Sequence, residues 1–373
     1  MDASIARSLE PNILKWLYRG KVIILYGARQ VGKTTLAKKI ASEQGNGLIL
    51  AGEQLAVQTV LQSHNLERYK QYFGNHHIIV IDEAQKITNI GTALKLIVDH
   101  LPQYQVIATG SSSFDLANTL NEPLTGRHIT FTLYPLSYKE IYASNLFVGR
   151  EALEQRLVYG SYPEIVTQPN DAELLLKQLS TDYLYKDVLA MDHIRKPDLL
   201  GKLLNLLALQ VGQEVSISEL AVALNTSRET VQKYIVLLEQ AFVIFRLSSY
   251  SKNPRKEIAK GIKVYFYDLG IRNAIINNFA MIESRDDVGP LWENFFIVER
   301  MKHNGLIGSS SRGYFWRTYA QSEVDYIEEL NEQLLAFETK WNVNKSAAFK
   351  AFRQEYSDAK TYTINPDNFV DFI

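Results

Sequence analysis

Residues 27–34 have the sequence GARQVGKT, and their types and spacing are those of a loop that binds a polyphosphate. The two glycines, Gly27 and Gly32, allow unusual backbone angles and a close approach to a ligand. Lys33 is predicted to reach the β- and γ-phosphates, and the hydroxyl of Thr34 is predicted to hold Mg²⁺. The chemistry that this pattern predicts is binding and hydrolysis of ATP with Mg²⁺.

The segments on either side of the loop are suited to position it. Residues 21–26 (KVIILY) are largely β-branched or apolar and predict a strand, and residues 35–41 (TLAKKIA) favour a helix. A strand, a glycine loop and a helix start would surround the phosphates with backbone N–H groups and the positive end of the helix. The alternative is a chance glycine turn before an ordinary helix, which the matching flanks make a poor explanation. The predicted nucleotide-binding residues are Gly27, Ala28, Arg29, Gln30, Val31, Gly32, Lys33, Thr34 and Thr35.

A second strand, residues 76–85 with the sequence HHIIVIDEAQ, ends in two carboxylates. Asp82 is predicted to orient Mg²⁺ and its water shell. Glu83 is predicted to polarise the water that attacks the γ-phosphate. The alternative is that the two acids simply face solvent at a strand end. The presence of the phosphate loop argues against it.

A third strand, residues 105–109 (QVIAT), is followed by a glycine and three serines. Parallel strands present ligand-binding groups at their carboxyl ends, so a hydroxyl here could sense the γ-phosphate. Ser111 is the first candidate and Ser112 the second. A serine that caps the next helix is an equally good explanation.

These motifs resemble the AAA+ superfamily of ATPases. The loop GARQVGKTT, the strand IVIDEAQK, the turn TGSSS and the segment LTGR at residues 124–127 carry the resemblance. One prokaryotic branch, AAA_14/DUF4143, is similar over nearly the whole chain, because GSYPE at 160–164 and WEN at 292–294 continue the match. The resemblance implies an α/β protein: a P-loop AAA+ parallel sheet with a helical lid, then a winged-helix domain and a restriction-endonuclease-like α/β domain.

The same resemblance implies a homo-oligomer whose ATP sites lie between subunits. A neighbouring AAA+ subunit often inserts an arginine that stabilises charge on the transferred phosphoryl group. Arg127 is the candidate by position, and a surface arginine in an ion pair is the alternative. Arg29, inside the loop, is a second candidate for contact with the nucleotide.

The composition of the 373 residues sets outer limits on function. The net charge of −1 gives no overall attraction to nucleic acid, so any DNA contact must be local. The absence of cysteine excludes disulfides, thiol catalysis and cysteine-ligated metals. With no signal peptide and no apolar run of membrane-spanning length, the expectation is a soluble cytoplasmic protein that does not contact membranes.

The length and the motifs predict four parts. They are an ATPase core at 1–140, a helical lid at 141–197, a winged helix-turn-helix at 198–263 and a nuclease-like domain at 264–373.

Residues 198–263 have the pattern of a helix-turn-helix followed by a two-stranded basic wing. A capped helix over 215–224, a turn at 225–227 and a second helix over 228–238 form the motif. A winged helix that contacts only proteins is the alternative, and the clustering of basic residues favours DNA. The residues predicted to face a groove or a phosphate are Ser227, Arg228, Thr230, Gln232, Lys233, Arg255 and Lys256.

The last region contains acids spaced as in the PD-(D/E)xK nuclease fold. Glu293, Asp325 and Glu338 would surround one Mg²⁺, and Lys340 would position or activate water. Strand alternation places Glu338 and Lys340 on one face. Val324 precedes Asp325 where the motif has proline, so a scaffold whose charges form buried salt bridges is the alternative.

The sequence therefore predicts a Mg²⁺-dependent ATPase, ATP to ADP and phosphate, that moves along or remodels DNA. Two alternatives stay open. One is an ATP-regulated nuclease, and the other is an ATP-dependent signalling switch that acts on a protein partner.

Overall fold

The computed structural model describes residues 5–110, 124–144, 149–183, 197–251, 261–318, 320, 322–342 and 349–373. The chain divides into two compact units. The ATPase unit comprises Ser4–Pro135 together with Gln240–Phe242, and the C-terminal unit comprises Leu136–Glu239 and Val243–Ile373.

The ATPase unit is built on a parallel sheet. Among the described residues this sheet has five strands in the order β2-β3-β4-β1-β5. Continuous apolar runs in β1, β3 and β4 are buried on both faces, as expected for a parallel sheet covered by helices. The strands are β1 (Val22–Tyr26), β2 (Gly47–Ala51), β3 (Ile78–Asp82), β4 (Gln105–Gly110) and β5 (His128–Thr132).

The helices of this unit connect the strands and cover the sheet. The helices over 55–61, 66–73 and 90–100 join a buried cluster with the strands, and Phe242 packs against the same cluster. A 3-10 turn, Ala84–Lys86, follows β3. The helices are α1 (Glu10–Leu14), α2 (Lys33–Glu43), α3 (Leu55–Leu61), α4 (Leu66–Phe73) and α5 (Ile90–His100).

The C-terminal unit contains a mixed sheet that is flanked by helices. Over the described residues its seven strands run in the order β12-β11-β10-β9-β7-β8-β6. They are β6 (Glu214–Val215), β7 (Ile244–Ser249), β8 (Ile262–Phe266), β9 (Arg312–Arg317), β10 (Glu323–Leu330), β11 (Gln333–Thr339) and β12 (Lys360–Ile364). The helices are α6 (Tyr138–Ala143), α7 (Arg150–Tyr159), α8 (Pro163–Thr167), α9 (Ala172–Tyr183), α10 (Pro197–Leu209), α11 (Ile217–Ala223), α12 (Arg228–Gln240), α13 (Leu269–Ile275), α14 (Val288–Leu306) and α15 (Phe349–Glu355).

The strands predicted as a separate wing belong to this mixed sheet. β7 pairs antiparallel with β8 and also pairs parallel with β9 through Ser248 and Ser249. Joining β7 to β9 covers an edge that either strand would otherwise expose, since open strand edges favour unwanted pairing. The predicted winged-helix and nuclease-like segments thus share one sheet.

The last part of this unit follows the order helix, three strands, helix, strand. These elements are α14, β9, β10, β11, α15 and β12. β10 pairs antiparallel with β9 and β11, and β12 pairs parallel with β11. The prediction of an α/β protein with a parallel ATPase sheet is confirmed.

Candidate active site

The phosphate loop lies between β1 and α2, at the carboxyl edge of the parallel sheet. Gly32 has φ of 94°, a left-handed value that favours glycine, and α2 begins at the next residue. A Cβ atom on Gly27 would lie 2.0 Å from the carbonyl oxygen of Leu133, so only glycine fits there. The loop therefore leaves backbone N–H groups and a helix start available to an anion.

Lys33 is the buried cation of this loop. Its side chain is 5% exposed, and its Nζ donates to the carbonyl oxygens of Gly27 at 2.9 Å and Ala28 at 2.6 Å. The ammonium group is thus held inside the loop by neutral acceptors. A phosphate oxygen is a stronger acceptor for an ammonium group, because the hydrogen bond is then charged on both sides.

The remaining predicted loop residues differ in exposure. Val31 is fully buried and Ala28 nearly so, whereas Gln30 and Thr35 are exposed. Arg29 is half-buried. Gln30 has φ of 57° and Gly27 has φ of 149°, so with Gly32 three residues of the loop have positive φ.

Asp82 lies at the end of β3 and accepts two hydroxyl hydrogen bonds. The Oγ1 atoms of Thr34 and Thr109 each donate to Asp82 Oδ1 at 2.6 Å. Hydroxyl and carboxylate oxygens are the ligand type that Mg²⁺ prefers, and Mg²⁺ usually keeps several waters and binds substrate phosphates as well. Thr34 and Asp82 therefore fit a Mg²⁺ that is bound together with ATP.

Glu83 follows directly and has a strained backbone. Its φ is 50°, in the left-handed region, and its backbone N–H donates to Thr109 Oγ1 at 3.2 Å. Its carboxylate accepts a hydrogen bond from the side-chain amide of Gln85. Strain of this kind concentrates at functional sites. The loop and both acids lie at the carboxyl edge of the same sheet, where they were predicted to lie.

Two of the predicted catalytic residues are not brought to this edge by the described structure. Ser111, with Ser112, lies outside the described residues. Arg127 precedes β5, and its carbonyl oxygen accepts from Val22 N at 2.9 Å, which places it at the amino edge of the sheet. Its Nε contacts Asp99 Oδ1 at 2.6 Å, and this hydrogen bond lowers the pKa of Asp99. In this subunit Arg127 is therefore a surface arginine in an ion pair.

The C-terminal unit brings the predicted nuclease acids into one buried region. Glu293 lies on α14, Asp325 on β10 and Glu338 on β11, and the negative charge of Asp325 acts on both glutamates. Burial and then this charge raise the pKa of Glu293 to about 8. The same two causes raise the pKa of Glu338 to about 7.

Ammonium groups already neutralise part of this acid cluster. Lys263 on β8 is 1% exposed and donates to Glu293 Oε1 at 3.0 Å, and it also pairs with Glu323. Although burial disfavours its charge, Glu293 and Glu323 raise the pKa of Lys263. Lys340 Nζ lies 2.6 Å from Glu338 Oε1.

Hydrogen bonds fix the remaining groups of the acid cluster. The hydroxyl of Tyr265 donates to Glu293 Oε1 at 2.5 Å. Asp325 Oδ2 accepts from the backbone N–H and the hydroxyl of Thr339, at 2.7 and 2.8 Å. Glu338 Oε2 is buried and has no hydrogen-bond partner among the described residues.

The acid cluster as described does not fit the predicted nuclease metal site. Within the described parts of the chain, no group of three histidine, aspartate or glutamate side chains is arranged to hold a metal ion. The physical reason is that Glu293 and Glu338 are each turned to an ammonium group. The charges form a salt-bridge cluster, which is the alternative that the sequence left open.

The helix-turn-helix residues form an exposed polar face on α12. Ser227 caps this helix, and its Oγ accepts from Thr230 N at 3.2 Å. The opposite face of α12 is buried through Val231, Tyr234, Ile235 and Leu238. The exposed residues are Ser227, Arg228, Gln232 and Lys233, and Thr230 is half-buried. Arg255 and Lys256 lie outside the described residues.

Three residues with clear positions at these sites were missed from the sequence. Thr109 is a polar residue at the end of an otherwise largely apolar strand, just before the glycine and the serines. A hydroxyl at that position could have been predicted to contact the neighbouring strand-end acids. Arg7 donates to Val31 O and Tyr134 O, at 2.6 and 2.7 Å, and no motif points to it. No motif in the sequence points to Lys263, because its charge partner Glu293 is 30 residues away.

No helix in the described part of the chain combines the length and the apolar character needed to cross a membrane.

Three family descriptions match successive parts of the chain. Residues 19–142 match an AAA domain (AAA_14), residues 150–281 match a domain of unknown function (DUF8612), and residues 288–371 match a domain of unknown function (DUF4143). The second match spans the predicted lid and the predicted winged helix together.

Proteins of similar sequence occur in Mycobacterium tuberculosis and Methanocaldococcus jannaschii. An uncharacterized protein of Mycobacterium tuberculosis is 27% identical over 340 residues, which covers 90% of this chain and 73% of the relative. An uncharacterized protein of Methanocaldococcus jannaschii is 25% identical over 388 residues, 97% of this chain and 85% of the relative.

A solved structure shares the fold. The Walker-type ATPase of Pyrococcus abyssi matches with a TM-score of 0.50 and 16% identity, and covers 73% of this chain and 96% of its own. The loop, the strand-end acids, the AAA match and this fold agree. The chain is a P-loop ATPase whose ATPase core matches the AAA_14 family and whose last region matches the DUF4143 family.

Proposed function

We propose that this ATPase hydrolyses ATP to ADP and phosphate with Mg²⁺ and couples turnover to action on DNA. The observation that carries the ATP part is the phosphate loop, with Lys33 buried inside it and Asp82 facing Thr34 at 2.6 Å between Oδ1 and Oγ1. When Mg²⁺ is bound with ATP, it neutralises charge on the β- and γ-phosphates.

The residues of the chain prepare the remaining parts of the reaction. The N–H groups of the loop and the start of α2 bind the phosphates, and Lys33 exchanges its two carbonyl acceptors for phosphate oxygens. Glu83 orients and polarises the attacking water once its carboxylate leaves the amide of Gln85. Thr109 fixes the positions of Asp82 and the backbone of Glu83 relative to each other, because its hydroxyl forms a hydrogen bond with both.

The DNA part of the proposal is supported by α12. Its exposed face presents Arg228, Gln232 and Lys233 beside the capping Ser227, and a helix of this type presents its N-terminal residues to base edges and phosphates. Glu229 lies on the same exposed part and limits the positive charge. We therefore expect moderate affinity that depends on salt rather than strong general attraction to nucleic acid.

Assembly into a homo-oligomer is the second part of the proposal. In its own subunit Arg127 lies at the sheet edge opposite the phosphate loop, so any contact with ATP must be made in a neighbouring subunit. That contact requires Arg127 to leave Asp99, an exchange that exposed ion pairs permit at small cost.

DNA cleavage is an alternative. The order helix, three strands, helix, strand and the mutual electrostatic influence of Glu293, Asp325, Glu338 and Lys340 support it. The ammonium group of Lys263 between Glu293 and Glu323 opposes it. A signalling switch that acts on a protein partner is the remaining alternative.

The deciding experiment measures ATP turnover with and without duplex, single-stranded and branched DNA in Mg²⁺, with the same reactions analysed on gels. Stimulation by one DNA form supports the proposal, and cut products that disappear in Lys340→Ala support the nuclease. The absence of both stimulation and binding would favour the protein-partnered switch. Loss of turnover in Lys33→Ala, but not in Lys38→Ala on the exposed side of the same helix, checks the site.

The contribution of α12 is tested by its salt dependence. Arg228→Ala and Lys233→Ala should weaken binding to all sequences, and each should lower the salt slope by about 1 if its side chain binds one phosphate. Lys202→Ala, an exposed lysine on α10, is the matched control. Unchanged slopes in both α12 variants would contradict DNA binding by this helix.

A further inference from the structure

The segment that leaves the ATPase unit begins against the phosphate loop. Leu133 N donates to the carbonyl oxygen of Tyr26, the last residue of β1, at 2.7 Å. The carbonyl oxygen of Leu133 fills the space beside Gly27, 2.0 Å from where a side chain would start. Gly27 therefore packs directly against Leu133, the first residue of the linker (residues 133–138).

Arg7 ties the same segment to the far end of the loop. Its Nη1 donates to Val31 O at 2.6 Å, and its Nη2 donates to Tyr134 O at 2.7 Å. The Nη1 atom also lies 3.7 Å from the position that a Cβ of Gly32 would take. The guanidinium of Arg7 thus connects the phosphate loop to the linker. On the loop it binds Val31, just before the N–H groups that would bind phosphate, and on the linker it binds Tyr134, the second residue.

The next residues of the linker are fixed within the C-terminal unit. Leu136 N donates to Ser161 O at 2.9 Å, and Lys302 Nζ donates to Leu136 O at 2.9 Å. Tyr138 N donates to Glu299 Oε2 at 2.8 Å, and Glu299 pairs with Lys302 at 2.7 Å. Glu299 and Lys302 are both buried, so the hydrogen bonds that attach the linker to α14 are shielded from water.

Only Pro135 separates the residue bound by Arg7 from the residue bound by Lys302. Because Arg7 bonds to both carbonyl groups, a change in the backbone of the loop at Val31 would also act on Tyr134. Proline limits how much of that change the chain absorbs locally, because its φ is fixed.

We propose that Arg7 is a positioning residue of the ATP site, which holds the phosphate loop through Val31 and transmits the state of the loop to residues 134–138. The proposal rests on the ATP binding proposed above. Arg7 acts through backbone carbonyl groups, so its loss should affect nucleotide affinity more than the chemical step.

The first test separates KM from kcat. Arg7→Ala should raise KM for ATP by roughly tenfold, the size expected for losing hydrogen bonds from a charged donor, with kcat changed far less. Arg7→Lys keeps the charge and one donor direction, and should recover part of the affinity. Arg19 is an exposed arginine that, like Arg7, precedes β1, and Arg19→Ala should have the KM and kcat of the wild type.

The second test measures the linker directly by hydrogen exchange of the amides of Leu136 and Tyr138. In a Glu83→Gln background, saturating ATP should change their exchange rates, and Arg7→Ala should remove the change although nucleotide is bound. If Arg7→Ala does not fold, Arg7→Lys must show a reduced response. A response equal to that of the parent overturns the proposal. Absence of ATP binding by the wild type would instead overturn the proposed function, and this proposal with it.

Discussion

The two acid sites of this chain hold their carboxylates with different partners. Asp82, the last residue of β3, is held by the hydroxyls of Thr34 and Thr109. Glu338, at the end of β11, is held by the ammonium of Lys340, and Glu293 beside it by Lys263. Hydroxyl donors leave the negative charge in place for a cation, whereas ammonium groups cancel it.

Because of this difference, Asp82 can exchange its hydrogen-bond donors for a cation, whereas Glu293 and Glu338 keep their ammonium partners. Replacing a neutral hydrogen bond by a metal–oxygen bond removes no counter-charge, so Asp82 can turn to Mg²⁺ readily. A buried carboxylate that loses its ammonium partner becomes an uncompensated charge in a medium of low dielectric constant, which is strongly unfavourable. The ATP site should therefore respond to variants mainly in rate, and the acid cluster mainly in stability.

The largest effect is expected for Glu83→Gln in the ATP site. The amide cannot accept a proton from the attacking water, so turnover should fall by about 10²- to 10⁴-fold. Binding of ATP should persist, since Glu83 is not predicted to contact the phosphates. Phosphate release and binding of a fluorescent ATP analogue measure the two properties, with Glu53→Gln, an exposed glutamate, as control. Normal turnover would require another catalytic base.

Lys263→Met should give the largest effect in the acid cluster. Methionine keeps much of the volume but removes the cation that pairs with Glu323 and the hydrogen-bond donor to Glu293, so the free energy of unfolding should fall by about 3–5 kcal/mol. Urea unfolding followed by tryptophan fluorescence measures this, because Trp292, Trp316 and Trp341 all belong to the C-terminal unit.

Two further variants sharpen the Lys263 result. Lys350→Met, at an exposed position, should leave the unfolding curve unchanged. Adding Glu293→Gln to Lys263→Met should restore part of the loss. If Lys263→Met were as stable as the wild type, the ammonium would not be the element that neutralises the cluster.

A pH dependence of smaller size should distinguish the two sites. Burial and Asp325 raise the pKa of Glu293 to about 8 from 4.5, so the folded state keeps a proton that the unfolded state releases. Stability should therefore fall as the pH rises through this window, with a limiting slope of about 1.4 kcal/mol per pH unit for one proton. Glu338, whose pKa is about 7, should add to the fall over a narrower window.

Urea unfolding at several pH values between 5 and 8 checks this with about 1 kcal/mol resolution. Glu293→Gln should flatten the dependence, because it removes the titrating group. Glu332→Gln, at an exposed turn, should keep the wild-type slope. A wild-type protein that became more stable with rising pH would contradict a buried, protonated Glu293.

The smallest effect is expected for Thr109→Val, which keeps the shape and removes the hydroxyl. Asp82 then loses one of two donors, and the backbone N–H of Glu83 loses its acceptor. We expect about tenfold lower ATP turnover, which corresponds to one hydrogen bond to a charged group. Thr59→Val, on the exposed side of α3, is the matched control. An unchanged rate would show that Thr34 alone positions Asp82.

The sequence was sufficient to predict the ATP site because its chemistry is carried by local patterns. The geometry of the loop is determined by residues that are adjacent in sequence, a strand, a glycine loop and a helix. The same is true of the acids at the end of an apolar strand. The acid cluster was only partly predictable, since Lys263 and Glu293 meet through strand and helix packing across 30 residues of sequence. Alternation predicted that Glu338 and Lys340 would share a face, but not that Lys263 would take the place beside Glu293.

The same distinction explains the domain prediction. The helix-turn-helix is local, and helices α11 and α12 lie where the pattern indicated. That β7 would pair with β9 depends on contacts between residues more than sixty positions apart, such as Ser248 with Tyr314. Periodicity indicates that a strand exists and does not indicate which strand it will join.

The ATPase unit is discontinuous, since Gln240–Phe242 belong to it although more than a hundred residues of the C-terminal unit come before them. During synthesis on the ribosome, the parallel sheet emerges complete long before Phe242, which packs against its buried cluster. A fragment ending at Pro135 would leave that packing position empty and expose apolar surface. An ATPase unit expressed on its own should therefore include the missing segment, and the nascent unit completes its core only after most of the polypeptide has left the exit tunnel.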